Sequence, residues 1–207
     1  MKVYKKIPLA TLSMVIVIFS FHYYLVFNLP KPQFWNRFYC DGSKILRGEV
    51  WRLLSSVLPH SGWQHLIEDI IYLVFVGIIA EYIFKWWRMM IVWCMCEICS
   101  SISCLVFIGS NYCGIGSSAS THGLLAFVTA WIIFHKDSIF TSIFAGTVLL
   151  YLFYLSIYAV YYGVMGWPLT MLPNVGWDHL GGVVMGTVLG IVYHFWCYYS
   201  RKRIKNR

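Results

Sequence analysis

Residues 109–134, GSNYCGIGSSASTHGLLAFVTAWIIF, join a glycine-rich turn to an uncharged apolar run. The run is too apolar to face water and is free of proline, so it reads as a helix over 117–134 with lipid or protein on all sides. Ser118 stands at its entrance, with His122 one turn further in on the same face. Polar groups at the mouth of a buried helix are costly there and are usually kept for a task.

Five further runs of this kind flank the first. A membrane-spanning helix needs about 20 mostly apolar residues, and the chain offers them at 7–29, 64–84, 89–108, 139–162 and 178–199. The expected fold is therefore all-α, a polytopic six-transmembrane-helix bundle forming one membrane domain over 1–207. The basic start of the first run resembles a secretory leader, but its apolar stretch is too long and no small-residue cleavage site follows, so it is expected to remain as a helix. The connection at 30–63 mixes charges with aromatics, which suits a segment lying at the bilayer interface.

Composition points the same way. Of 207 residues 59% are hydrophobic and only 12% charged, against about 25% charged in a soluble domain. The net charge of +8 does not indicate nucleic acid, because Lys2, Lys5 and Lys6 open the chain, Arg201, Lys202, Arg203, Lys205 and Arg207 close it, and Lys85, Arg88 and Lys136 fill short gaps between apolar runs. Basic residues so placed mark the cytoplasmic side. The expectation is a plasma (inner) membrane protein with both termini cytoplasmic and any site opening to the outer, periplasmic side. Its partners are then the lipid bilayer and other membrane proteins. Cys94, Cys96, Cys99 and Cys104 share one apolar run and read as small buried hydrophobes. Cys40 and Cys113 both fall in expected outer loops, where a disulfide between them is open.

Placed on this topology, the polar exceptions gather at one depth. His60 and His65 precede or open the second helix, with Asp69 one turn below His65. Ser118 opens the fourth helix behind Gly116, and His179 opens the sixth. Gly123 and the stripe Gly182-xxx-Gly186 allow the fourth and sixth helices to approach closely. That approach would bring Ser118 to His179. A serine hydroxyl is a weak nucleophile until a neighbouring base takes its proton, so the pair is chemically sensible.

These residues, in order, carry a resemblance. Trp51-Arg52, His60-x4-His65-x3-Asp69, Gly77-xxx-Glu81, Gly116-x-Ser118-xxxx-Gly123 and His179-xx-Gly182-xxx-Gly186 resemble the rhomboid family of intramembrane serine proteases, over Trp51 to Gly186. The resemblance implies a Ser118–His179 catalytic dyad without an obligatory acid, no metal and no cofactor. It also implies an oxyanion site built from the Ser118 backbone N–H, the His65 side chain and the residue at position 69. The family usually has asparagine at that last place. An ionised Asp69 can only accept hydrogen bonds, which leaves three parts open to it: protonated by burial, orienting His65, or taking no part in the hole, of which orientation of His65 is the preferred expectation. Ala119 stands where a glycine commonly follows the nucleophile. The run Ser118-Ala119-Ser120-Thr121-His122-Gly123-Leu124 looks like the rhombosortase branch, which implies substrates with C-terminal anchors beside single-span membrane proteins generally. A catalytically inactive relative that binds membrane clients is the rival reading.

Other readings have less behind them. His122 could serve as base in place of His179, but an i, i+4 pair leaves little room for substrate. A metal site from His60, His65, Asp69 and His179 lacks the HExxH pattern of zinc proteases. A channel would need a polar path through both leaflets. Asp178 reads as the N-cap of the sixth helix, Glu81 as a packing residue, Trp51 and Arg52 as anchors of the first loop, and Glu97 as a buried hydrogen-bonding group. His22, His135 and His194 read as interfacial or packing residues.

Overall fold

The structure is a computed structural model, described here over residues 7–28, 37–134, 148, 151 and 172–205. Its helices are α1 (Leu9–Asn28), α2 (Gly42–Leu46), α3 (Arg52–Ser55), α4 (Trp63–Ile83), α5 (Trp86–Phe107), α6 (Ser118–Phe134) and α7 (Leu172–Lys205). Two short strands, β1 (Cys40–Asp41) and β2 (Cys113–Gly114), pair antiparallel and tie the first loop to the turn before α6.

Among the described residues α1, α5 and the stretch Gly176–Ser200 of α7 are long and apolar enough to cross a membrane. The protein is a mostly helical membrane protein, and among the described residues the small strand pair is its one sheet. The other apolar helix, α6, has 17 residues, and α4 has 21 but carries Glu68, Asp69 and Glu81. The fifth expected span, 139–162, lies outside the described residues except for Val148 and Tyr151.

Helix α6 is the hub. Every residue from Ala119 to Ala130 is buried, and α6 packs chiefly against α7, then against α5 and α4. This explains why residues 119–130 need no solvent-facing polar side: over that stretch the helix meets protein all round. The close α6–α7 approach needs glycine. A Cβ at Gly182 would sit 2.3 Å from the Ala119 carbonyl oxygen, one at Gly186 1.9 Å from that of Gly123, and one at Gly123 2.6 Å from that of Gly182.

The Gly77-xxx-Glu81 motif serves α1. Glu81 accepts the Ala10 N–H at 3.1 Å on one oxygen, and the Thr11 N–H and hydroxyl, each at 2.9 Å, on the other. It thus caps from a neighbouring helix the donors that every helix start leaves open. Gly77 lets Thr11 come close, since a Cβ there would lie 2.8 Å from Thr11 Cγ2. Glu81→Ala should destabilise the protein by about 1–3 kcal/mol, the cost of stranding buried donors, and thermal unfolding in detergent checks it.

The first loop is anchored much as expected for Arg52. Its guanidinium reaches Glu49 Oε2 at 2.7 Å and the Tyr39 carbonyl at 3.0 Å, and it is 3% exposed. Asp41 caps α2 by accepting the Lys44 N–H at 3.0 Å and the Ser43 hydroxyl at 2.8 Å. Burial raises its pKa, but these donors and Tyr39 outweigh that and hold it below the usual value. The same bond and burial push the Tyr39 phenol up to about 12.

One open question is answered and one expectation corrected. Cys40 and Cys113 do not pair: the register sets Cys40 opposite Gly114 and Cys113 opposite Asp41, which turns the two thiols to opposite faces of the ribbon. Cys40 is fully buried beside Ser101, its thiol pushed up to about 12 by burial, whereas Cys113 is exposed. The last helix begins at Leu172 rather than near 178. The Gly and Pro content of 163–177 argued for a loop, but Pro173 falls in the first turn, where its missing N–H has no partner to lose. Asp178 is therefore inside the helix, not its cap, and accepts a hydrogen bond from the Ser100 hydroxyl of α5.

Candidate active site

Ser118 is the first residue of α6, and the turn before it fixes where its side chain points. Gly116 has φ of +99°, a left-handed conformation that disfavours any side chain. Space demands glycine too, because a Cβ would sit 2.7 Å from His65 Cε1 and 3.2 Å from Asp69 Oδ2. Ser117 stands just before the helix: its carbonyl accepts the Thr121 N–H at 3.1 Å and the hydroxyls of Ser120 and Thr121, each at 2.9 Å.

From α7, His179 meets this corner. Its Nε2 lies 2.9 Å from Ser118 Oγ, within the reach a general base needs. The bond joins residues 61 positions apart, and the glycine contacts between α6 and α7 make it sterically feasible. If the Ser118 hydroxyl donates, the imidazole is neutral at Nε2 and ready to take the proton.

His122 packs against His179, with ring centroids 4.5 Å apart. Its Nδ1 lies 2.7 Å from the Ser118 carbonyl and its Nε2 3.0 Å from the Tyr151 hydroxyl. A carbonyl only accepts, so Nδ1 carries the proton and Nε2 accepts from Tyr151. Both nitrogens are occupied away from Ser118 Oγ, which leaves His122 a packing and tethering role rather than that of base. Tyr72 adds an edge contact at 4.7 Å.

On the other side of Ser118 the neighbourhood differs from expectation. His65 Nε2 is 3.8 Å from Asp69 Oδ2, too far for a hydrogen bond, and its Nδ1 is 3.0 Å from the Ser61 hydroxyl. Asp69 therefore does not orient His65 through a hydrogen bond, although the one-turn spacing allowed it. Asp69 Oδ2 instead lies 2.7 Å from the Ser117 N–H, 3.3 Å from the Ser117 hydroxyl and 3.1 Å from His60 Nε2. Glu68 is exposed and accepts from Gln64, so it offers no substitute. Glu97, buried in α5, accepts the Ser56 hydroxyl at 2.9 Å.

Ser61, Ser117 and Tyr151 are the contributors that sequence reasoning passed over. Ser117 carries a signal in its place directly after Gly116. Size of cavity is no guide to this corner. An apolar groove of 1220 Å³ lies between α1, α4 and α5, beside Glu81, Lys85 and Trp86, and does not include Ser118 or His179.

A family model described as the rhomboid domain matches residues 47–195. The chain belongs to the rhomboid family. It is 31% identical to RHOMBOID-like protein 4 of Arabidopsis thaliana over 154 residues, 73% of this chain and 36% of that one. RHOMBOID-like protein 2 of the same plant is 29% identical, covering 69% and 42%, and rhomboid protease GluP of Bacillus subtilis (strain 168) 25%, covering 70% and 26%. The matched part thus spans less than half the length of each relative.

Proposed function

We propose that this protein is an intramembrane serine endopeptidase, in which Ser118 attacks a peptide carbonyl and His179 serves first as general base and then as general acid for the leaving amine. The single observation that carries the reading is the 2.9 Å approach of His179 Nε2 to Ser118 Oγ across two helices. In each half of the reaction the serine or water proton passes to Nε2 as the carbonyl carbon is attacked, and is returned to the departing group. The Ser118 backbone N–H and the His65 side chain, which lies against Gly116, supply the donors for the oxyanion.

The membrane setting supports the substrate class. A 17-residue helix is about 25 Å long, short of the roughly 30 Å hydrocarbon core, so Ser118 sits inside the membrane if Phe134 reaches the far interface. We take the whole chain as one six-span domain with cytoplasmic termini and the dyad opening to the periplasmic side of an inner membrane. The substrates are single-span membrane proteins. The run Ser118…His122-Gly123-Leu124 points within that class to exported proteins with C-terminal anchors, as in the rhombosortase branch.

The rival, an inactive client-binding relative, separates cleanly. A serine-directed fluorophosphonate should label the wild-type protein at Ser118, located by peptide mass, and should label His179→Ala far more slowly. A wild-type protein that takes no label would support the binder.

A further inference from the structure

One carboxylate oxygen, Asp69 Oδ2, gathers donors from both segments that meet beside the nucleophile. The loop before α4 sends His60 Nε2 to it at 3.1 Å, and the turn before α6 sends the Ser117 N–H at 2.7 Å and the Ser117 hydroxyl at 3.3 Å. His60 is 1% exposed and Asp69 5%. An oxygen so engaged is purely an acceptor, and has no proton to offer an oxyanion.

His60 is held between two acceptors. Its second nitrogen, Nδ1, lies 3.3 Å from the Leu58 carbonyl while Nε2 faces the carboxylate. Neutral imidazole has one N–H, so beside an ionised Asp69 both contacts are satisfied only when each ring nitrogen donates. The pair is then a buried cation beside a buried anion, neutral in sum. Among the described residues the other titratable groups facing it are His22 and His65, whose rings stand edge-on to that of His60 at 5.8 Å and 5.1 Å, and neither contributes a second carboxylate.

We propose that Asp69 is a positioning residue outside the oxyanion hole: as the charge partner of His60, it clamps the Gly116–Ser117 turn and so sets the start of α6 on which Ser118 stands. The mechanical link is short, because Asp69 binds the backbone N–H of the residue directly before Ser118. Breaking one side of a buried ion pair leaves the other charge uncompensated, and that is costly, whereas replacing both sides together is often tolerated. The clamp therefore predicts a specific pattern of loss and rescue. Its activity arm rests on Ser118 being the nucleophile; its stability arm does not.

The test compares His60→Gln, Asp69→Asn and His60→Gln/Asp69→Asn in the full chain, reading thermal unfolding in detergent and cleavage of a single-span reporter. His60→Gln keeps a donor for the carboxylate but removes the cation. It should lower the unfolding temperature and cut kcat about 100-fold, the scale for a small misplacement of a reacting group, with KM within about 2-fold. Asp69→Asn alone should be milder, because His60 can become neutral and accept from the new amide. The double variant should recover most of both losses. If His60→Gln does not accumulate as folded protein, recovery of folded protein in the double variant is the supporting result. Losses that add in the double variant, or a harmless His60→Gln, would overturn the clamp. A wild-type protein that fails to cut would count against Ser118 alone, since the unfolding comparison still decides the pairing.

Discussion

His179→Ala is expected to lower turnover of a single-span reporter by about 10⁴-fold or more, with KM, expression and membrane insertion little changed. The scale is that seen when one member of a serine–base unit is removed. The imidazole touches the nucleophile directly at 2.9 Å, and among the described residues no second base is at hand, because both nitrogens of neighbouring His122 are engaged by the Ser118 carbonyl and Tyr151. His122→Phe keeps a ring against His179 and should cost far less. Residues that act as a unit are not additive. Ser118→Ala and the Ser118→Ala/His179→Ala pair should therefore be about as inactive as His179→Ala, which progress curves at saturating reporter would show.

The second large effect lies away from the reacting atoms. Gly186→Leu should reduce kcat by at least about 100-fold, although position 186 is two turns below His179. Its Cβ would lie 1.9 Å from the Gly123 carbonyl oxygen, and neither partner is a side chain that can swing aside. Helices α6 and α7 must then part by about 1 Å or rotate, and a displacement of that size is enough to cost two orders of magnitude when nucleophile and base sit on separate elements. Overpacking of this kind also destabilises, typically by about 1–3 kcal/mol. A fall in fluorophosphonate labelling of Ser118, with the protein still folded by thermal unfolding, separates misplacement from unfolding.

What was legible in the chain follows from which forces are local. Ser118, His179 and the stripe Gly182-xxx-Gly186 could be read because membrane burial makes every polar or side-chain-free position conspicuous, and the helical repeat says which of them share a face. Glu81 could be recognised as structural, but not as the cap of α1, since capping across a sequence gap of 70 residues leaves no periodic trace. Asp69 misled for a related reason. The i, i+4 rule pointed to His65 within the same helix, whereas the shorter bonds run to His60 in the preceding loop and to a backbone N–H of the 116–117 turn, and a backbone donor has no residue type to signal it. Whether Cys40 and Cys113 pair stays open in the sequence, because both simply fall between apolar runs. Only the strand register, a product of tertiary pairing, reveals that they face apart. The start of α7 was hidden by composition, as Pro173 breaks a helix interior but not a first turn.

Ser118 and His179 remain the two atoms' worth of chemistry on which the rest stands, and one reconstitution tests them together. Purified protein in liposomes with a single-span reporter, its products mapped by mass, should yield two fragments cut in or beside the reporter's span, and Ser118→Ala should yield none. A Ser118→Ala protein that cuts as well as the wild type, or a folded wild type that leaves every reporter whole, would contradict the serine–histidine mechanism.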